Sequence, residues 1–158
     1  MNKHKNVVIF LIRFFATYFI LFAIYARYLQ NSQQKGSEFK TASITTIVAD
    51  QTAALLNFLD YNSSAHQHKK ELSVKLLVKG TYTARVIEGC NSISIIILFI
   101  AFIIAFTGSI KATIIYSLAG SICIYFINIA RIAFLAIMIY NHPYQQEFLH
   151  NLIFPAII

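Results

Sequence analysis

The feature that most constrains this chain is a set of apolar runs that are too long for a soluble core. The first extends from Val7 to about Tyr28 and carries a charged residue, Arg13, near its beginning. A helix of roughly 20 residues crosses the hydrocarbon layer of a bilayer, so this run is long enough to span it. Apolar residues make up 58% of the 158 residues and charged residues only 12%, well below the quarter that is usual in soluble domains. We therefore expect an integral membrane protein.

The net charge of +7 would suggest nucleic acid as a partner if the protein were soluble. However, the sequence shows no basic patch interleaved with aromatic residues and no nucleic-acid module. We interpret the charge as topology, because Lys3, Lys5 and Arg13 precede or open the first run and the positive-inside rule places them in the cytoplasm. A cleaved signal peptide is the alternative, but the run is long and no small-x-small cleavage site follows it. We predict an uncleaved span over residues 7–28.

Residues 30–89 are mostly polar and are predicted to form an extracytoplasmic region. Within it, the apolar spacing of residues 44–59 predicts an amphipathic helix that packs against the bundle or lies on the membrane. The segment "DYNSSAHQHKK" is predicted to be a polar loop. The Val- and Thr-rich stretch around Lys79 and Gly80 predicts a small hairpin or two extended segments.

Two further apolar runs predict a second span over residues 92–106 and a third over 112–140. The third is longer than the hydrocarbon layer unless it tilts or projects. A last run, residues 150–158, is interpreted as the start of a truncated fourth helix, with a short interfacial tail as the alternative. The predicted fold class is an all-α integral membrane protein, a small polytopic helical bundle with about three full spans, forming one domain over residues 1–158.

Three chemically distinct residues fall at one predicted membrane depth on the outer side: Cys90, Arg131 and His150. At about 1.5 Å per residue, Arg131 lies on the order of 28 Å from Ala112, near the outer boundary. Ionisable residues beside a span are costly and indicate function. A cation beside a thiol favours the nucleophilic thiolate, and a histidine can transfer the proton that acyl transfer requires. The guanidinium can alternatively stabilise an oxyanion.

Each of these residues also has a purely structural interpretation. A cysteine in an apolar setting is usually a small hydrophobic residue, which is our interpretation of Cys123 in the third span. Arg131 alone could be an interfacial anchor and His150 a polar boundary residue, while Glu88 either orients the base or fixes the turn before the second span. Neither Cys90 nor Cys123 has CxxC or His-rich spacing, so we predict no disulfide framework, no zinc site and no cofactor.

The motifs "EGCNSIS", "NIAR" and "FLHN" resemble those of the exosortase/archaeosortase family of membrane-embedded, sortase-like cysteine transpeptidases. The chain looks most like the short exosortase F type found in Bacteroidetes, and the likeness covers nearly its whole length. The resemblance implies that Cys90 is the nucleophile, Arg131 the essential cation and His150 the third catalytic member. We take as supporting residues Glu88, Asn91 and Asn128. Larger relatives carry more spans than this chain shows.

By this resemblance, the substrates would be exported proteins with a C-terminal sorting signal, composed of a short motif, a transmembrane helix and a basic tail. Cys90 would attack the backbone carbonyl at the motif and form a thioester, which an amine or water would resolve. The enzyme would lie in the cytoplasmic (inner) membrane with its site facing the periplasm. The small residues of "SLAGS" could allow close approach of a helix from the substrate or from this chain.

Two non-enzymatic hypotheses compete with this one. The first is a membrane subunit of an envelope or export complex, which predicts that Cys90→Ala leaves function intact. The second is a small transporter component, but the sequence shows no inverted repeat and no pair of broken helices of the kind that transporter sites use.

Overall fold

The computed structural model describes residues 2–33, 39–106 and 108–142. In chain order, its elements are α1 (Asn2–Ser32), α2 (Ser43–Phe58), β1 (Ser63–Gln67), β2 (Ser73–Val78), β3 (Thr81–Ile87), a 3-10 turn (Glu88–Cys90), α3 (Ile93–Ala105) and α4 (Ile110–Asn141).

The chain packs as two compact units, which we describe separately. The helical unit comprises residues 1–33 and 91–128, and the sheet unit comprises residues 34–90 and 129–158, in each case where they are described. Helix α4 contributes its first part to the helical unit and its last part to the sheet unit. The expectation of one domain stays a prediction.

Helix α1 is an apolar helix that is long enough to cross a membrane. The stretch His4–Ser32 meets the length and hydropathy requirements of a span, and none of its most apolar window is buried by the protein. Phe19 is 61% exposed and Ile20 is 62% exposed. These side chains need an apolar solvent, and all backbone groups of a helix are satisfied internally, so the helix suits lipid. The predicted span 7–28 lies within it.

Helix α4 also meets the requirements of a span, and at about 1.5 Å per residue its 32 residues extend over roughly 48 Å. Its last part is buried in the sheet unit through Ile129, Ile132, Ala133, Leu135 and Ala136. Near its end, the Tyr140 ring lies 5.7 Å from Lys79 Nζ and 6.3 Å from the Tyr61 ring. The end of α4 therefore packs on the turn between β2 and β3.

The second predicted span, residues 92–106, forms a helix within one residue of those bounds, but this helix is shorter than a full span. Helix α3 covers 13 residues, or roughly 20 Å, which is less than the hydrocarbon thickness of about 30 Å. It starts after Ser92, whose φ of 64° is left-handed, and it stops at Phe106, whose backbone is extended. Two helices in the described residues, rather than three, are long enough to span. The predicted fourth helix, 150–158, lies outside those residues.

The helical unit is held together by close packing of α1 on α3. Ala101 and Ala105 are buried one turn apart on α3, and such small residues let helix backbones approach closely. The Phe10 ring of α1 lies edge-on to two rings of the α3 end, and its centroid is 5.9 Å from that of Phe102 and 5.0 Å from that of Phe106. Aromatic pairs at these separations are favourable beyond their buried area.

The small residues of "SLAGS" serve packing within the chain at one position. A Cβ added to Gly120 of α4 would lie 2.3 Å from two carbons of the Phe99 ring of α3. The glycine is therefore required by this close contact with α3.

The prediction of an all-α fold is wrong in one respect, because residues 63–87 form a three-stranded antiparallel sheet in the order β1-β2-β3. The predicted hairpin is confirmed: Lys79 and Gly80 have φ of 50° and 79°, as two-residue hairpin turns require. The expected loop around β1 is corrected too. Its polar residues pair with β2 from Ser63–Val78 to Gln67–Val74, and backbone bonds to a neighbour do not depend on apolar side chains.

The sheet unit has a two-layer core. Helix α2, predicted as 44–59 and observed within one residue of those bounds, packs on one face of the sheet. Val48 and Leu56 of α2 and Leu76 of β2 are fully buried. Burial of this kind contributes about 1.5–3 kcal/mol per large side chain.

Candidate active site

Cys90 occupies the last position of the 3-10 turn that joins β3 to α3. Its side chain belongs to the sheet unit and is 5% exposed. Cys123, in contrast, is exposed on α4 in the helical unit. Neither cysteine forms a disulfide within the described residues. Of the two thiols, only that of Cys90 is buried by the surrounding protein.

Glu88 connects this turn to the beginning of α2. Its Oε1 accepts a hydrogen bond from the backbone N–H of Ala42 at 2.7 Å, and its Oε2 accepts one from Thr45 Oγ1. Ala42 is the N-cap residue of α2, whose first turn carries no acidic residue and no side-chain cap. The Glu88 carboxylate therefore takes the place of a local cap and puts negative charge at the positive end of the helix.

The segment that enters α2 is also held by the sheet. Thr41 Oγ1 donates to Gln67 Oε1 at 2.9 Å, and Gln67 Nε2 donates to the carbonyl of Ser73 at 3.1 Å. Ser73 pairs with Ile87 at the end of β3. The hydrogen bonds of Glu88 and those of Gln67 thus lie at the same end of the sheet, directly before the Cys90 turn.

The residue after Cys90 is fixed within the helical unit. Asn91 Nδ2 donates to the Tyr25 hydroxyl of α1 at 2.8 Å, and Asn91 Oδ1 accepts from the backbone N–H of Ile93 at 3.1 Å. Asn91 is 1% exposed and Tyr25 is 9% exposed. Hydrogen bonds in such a buried setting satisfy polar groups that would otherwise be costly to bury. Asn91 consequently holds both the start of α3 and a residue of α1.

Arg131 lies on α4 among residues of the sheet unit, between the buried Ile129 and Ile132. Its Nε atom is buried. Asn128, which is 6% exposed, precedes it by three residues, a spacing that brings side chains to one face of a helix. Because α4 is continuous from Ile110, helical rise supports the predicted distance of about 28 Å between Arg131 and Ala112.

The predicted site residues that the structure describes are divided between the two units. Cys90, Glu88 and Arg131 belong to the sheet unit, whereas Asn91 and Asn128 belong to the helical unit. His150 lies outside the described residues, so the predicted triad stays a prediction. No group of three or more His, Cys, Asp or Glu side chains in the described ranges is arranged to hold a metal ion.

Sequence reasoning missed the partners that position the turn: Ala42, Thr45, Gln67 and Tyr25. The only available signal was local, the run of small and hydroxyl residues in "TASITT" that precedes α2. Nothing in that run points to a carboxylate 46 residues away along the chain.

A family model described as Transmembrane exosortase matches residues 8–153. The chain belongs to the transmembrane exosortase family. No curated protein and no solved structure matches it. The exosortase match includes Cys90, Arg131 and His150, and family membership together with the two long apolar helices makes the chain a membrane protein. Membership in this family indicates a membrane transpeptidase.

Proposed function

We propose that this exosortase, of the short F type, is a membrane-embedded cysteine protease or transpeptidase that cleaves the C-terminal sorting signal of exported proteins. The observation that carries the proposal is the way the chain holds Cys90. Two residues before it, Glu88 bonds to the start of α2, and one residue after it, Asn91 bonds to Tyr25 and to α3. Catalytic geometry requires groups whose positions are fixed in advance.

The reaction would proceed in two acyl transfers. The Cys90 thiolate attacks the carbonyl carbon of the scissile peptide bond, a tetrahedral oxyanion forms, and the C–N bond breaks as the leaving amine takes a proton. The product is a Cys90 thioester. An acceptor amine or water then attacks the thioester carbonyl and releases the thiol. Transfer and hydrolysis differ only in this second nucleophile.

Arg131 and His150 have distinct roles in this proposal. The Arg131 guanidinium stabilises the thiolate or the oxyanion, because a fixed cation at a site of developing charge lowers the barrier. His150 moves the proton to the leaving amine and from the incoming nucleophile. Glu88 acts as a positioning residue, since it bonds to α2 rather than to a reacting atom.

The predicted depth of Arg131 supports a site at the outer membrane–water interface. A peptide bond just outside a substrate's own transmembrane helix would reach such a site. With the N-terminus in the cytoplasm, as Lys3, Lys5 and Arg13 favour, the site faces the periplasm and the protein resides in the inner membrane. The substrates carry a motif, a membrane helix and a basic tail.

A non-enzymatic membrane subunit is the second candidate function. It is favoured by one observation, the burial of Cys90 to 5% exposure, because buried cysteines often act as small hydrophobic residues. Under this alternative, Cys90→Ala retains function in full.

The proposal is tested with the full chain in membranes, together with a candidate sorting-signal protein encoded near it. Substrate mobility is compared for the native enzyme, Cys90→Ala and Cys90→Ser, with Cys123→Ala as the matched control. We expect both Cys90 variants to lose processing by about a thousandfold or more and the control to retain it. Processing that persists in Cys90→Ala and Cys90→Ser at native protein levels would overturn the cysteine mechanism.

A further inference from the structure

The face of the sheet opposite α2 carries a line of basic residues. His66 of β1 pairs with Lys75 of β2, and Lys75 pairs with Arg85 of β3. His66 and Arg85 are exposed and Lys75 is partly buried, whereas Leu76, the next residue of β2, points into the core. Neighbouring strands lie about 4.8 Å apart, so three basic side chains stand side by side. Like charges directly opposite each other destabilise a sheet.

The positive charge is concentrated in the three strands and their loops, and it does not extend to helix α2. Residues 63–87 contain five Lys and Arg residues and one acidic residue, Glu71, whereas residues 41–62, which include α2, contain two acidic residues and no Lys or Arg. Arg85 Nη1 bonds to Glu71 at 2.8 Å, but both side chains are about half exposed. Exposed ion pairs of this kind contribute little, so Arg85 can exchange its partner.

The cationic surface is defined by His66, Lys69, Lys70, Lys75 and Arg85. It is concentrated at the end of the sheet that leads into the Cys90 turn, because Lys69 and Lys70 lie in the loop between β1 and β2 and Arg85 precedes Cys90 by five residues.

The aromatic ring of Tyr82 borders the same surface. A register shift in β3 places Tyr82 opposite Leu77, and the ring lies 5.7 Å from Lys75 Nζ. Tyr82 is 49% exposed, and Ile87, beyond Arg85, is 41% exposed. The surface therefore offers apolar contacts beside the charges, as sites for extended peptides do.

We propose that the cationic surface binds an acidic, extended segment of the exported peptide substrate, close to the bond that Cys90 attacks. This inference rests on the proposed function and deepens it by assigning a substrate feature. Charge complementarity selects an anionic occupant. The continuity of β3 with the Cys90 turn, and the exposed side chains of Tyr82 and Ile87 beside the charges, favour the peptide that is being cleaved over an anionic lipid headgroup.

The experiment uses the full chain with Cys90→Ala, in nanodiscs of phosphatidylcholine, so that binding is measured without turnover. The probe is a fluorescein-labelled peptide of alternating Glu and Ser, and the matched peptide has Gln in place of Glu. Fluorescence anisotropy compares the parent with Lys75→Gln/Arg85→Gln. The control, Lys79→Gln/Lys111→Gln, removes the same charge from two exposed residues elsewhere.

We expect the acidic peptide to bind, the neutral peptide to bind far more weakly, and Lys75→Gln/Arg85→Gln to weaken the acidic complex by roughly 3- to 10-fold. The control should change affinity by less than about twofold. Equal binding of the two peptides, or an equal loss in the control, would overturn the proposal. Displacement of the bound peptide by a soluble short-chain phosphatidylglycerol, with none by the matched phosphatidylcholine, would also overturn it and assign the surface to lipid.

Failure here is distinguishable from failure of the proposed function. If the acidic peptide does not bind but processing requires Cys90, the cysteine mechanism stands and the substrate feature is wrong. If processing persists in Cys90→Ala, the surface loses its assigned role in substrate cleavage, whatever it binds.

Discussion

The helical unit and the sheet unit use the same apolar residue types in opposite ways. In the sheet unit, Val48, Leu56 and Leu76 are fully buried between a helix and a sheet. In the helical unit, Ile20 of α1 is 62% exposed and Ile115 of α4 is 64% exposed. The first set forms a core that is buried between a helix and a sheet, and the second forms a surface that requires lipid.

The same contrast separates the two cysteines. Cys123 stands on the exposed surface of α4, while Cys90 is buried in a turn whose neighbours on both sides are hydrogen-bonded. The comparison shows that position relative to the solvent, rather than residue type, decides what a side chain contributes. Substitutions in the two units should therefore have different consequences.

Truncation of the sheet-unit core should have the largest effect on stability. Leu76→Ala removes a side chain with 0% exposure and should destabilise the unit by about 2–5 kcal/mol. The matched substitution Ile115→Ala, on the lipid-facing surface, should change stability by less than about 1 kcal/mol. Hydrogen exchange in nanodiscs measures both, at the α2 and β2 amides for Leu76→Ala and at the α4 amides for Ile115→Ala. Equal effects would remove the distinction between the units.

Within the helical unit, a side chain added at Gly120 should lower the stability by overpacking. Gly120→Ala puts a Cβ 2.3 Å from the Phe99 ring and should destabilise the full chain by about 1–3 kcal/mol. Gly108→Ala is the control, because its nearest atom, Thr113 Oγ1, would be 3.9 Å away. Thermal unfolding in detergent compares them. The packing account requires that Phe99→Leu restore stability to Gly120→Ala, and a lack of rescue would contradict it.

Loss of the remote cap should have an intermediate effect. Glu88→Ala leaves the Ala42 N–H and the Thr45 hydroxyl without this acceptor and should cost about 1–2 kcal/mol at the start of α2. Glu71→Ala removes an acidic residue of an exposed ion pair and should cost less than about 1 kcal/mol. Hydrogen exchange at the first turn of α2 reports the difference. Similar protection in both variants would show that Glu88 does not hold the turn.

The smallest effect should appear at alkaline pH. Partial burial raises the pKa of Tyr82 above its ordinary value of 10.0, partly opposed by Arg85. Because the folded-state pKa is the higher one, the stability that Tyr82 contributes is complete below pH 10 and is lost as the pH rises through the folded pKa. Tyr82→Phe should lack this component when stability is followed from neutral to alkaline pH. An unchanged profile in Tyr82→Phe would assign the loss to another group.

The elements that could be predicted from the sequence were those with a local signal. Apolar spacing located α2 within one residue, and Lys79 and Gly80 marked the hairpin. Strand β1 was missed because "SSAHQ" has no apolar alternation and forms only by pairing with β2. The bounds of α3 were also predicted within one residue, but its 13 residues are fewer than a span requires.

The candidate site was also predictable from the sequence only in part. The position of Cys90 before an apolar helix was visible in the sequence, and so was the presence of Arg131 in the next one. The bonds of Glu88 to Ala42 and of Asn91 to Tyr25 join residues 46 and 66 positions apart. Such contacts depend on how elements pack, and no periodicity or motif in one sequence encodes them.

The most direct test of the central claim is to identify the residue that carries the acyl group. Native enzyme is denatured in acid during processing of a sorting-signal protein, and its peptides are mapped by mass spectrometry before and after hydroxylamine treatment. The account predicts a hydroxylamine-sensitive substrate fragment attached to Cys90 and none attached to Cys123. Processing without any adduct on Cys90, and at an unchanged rate in Cys90→Ala, would contradict it.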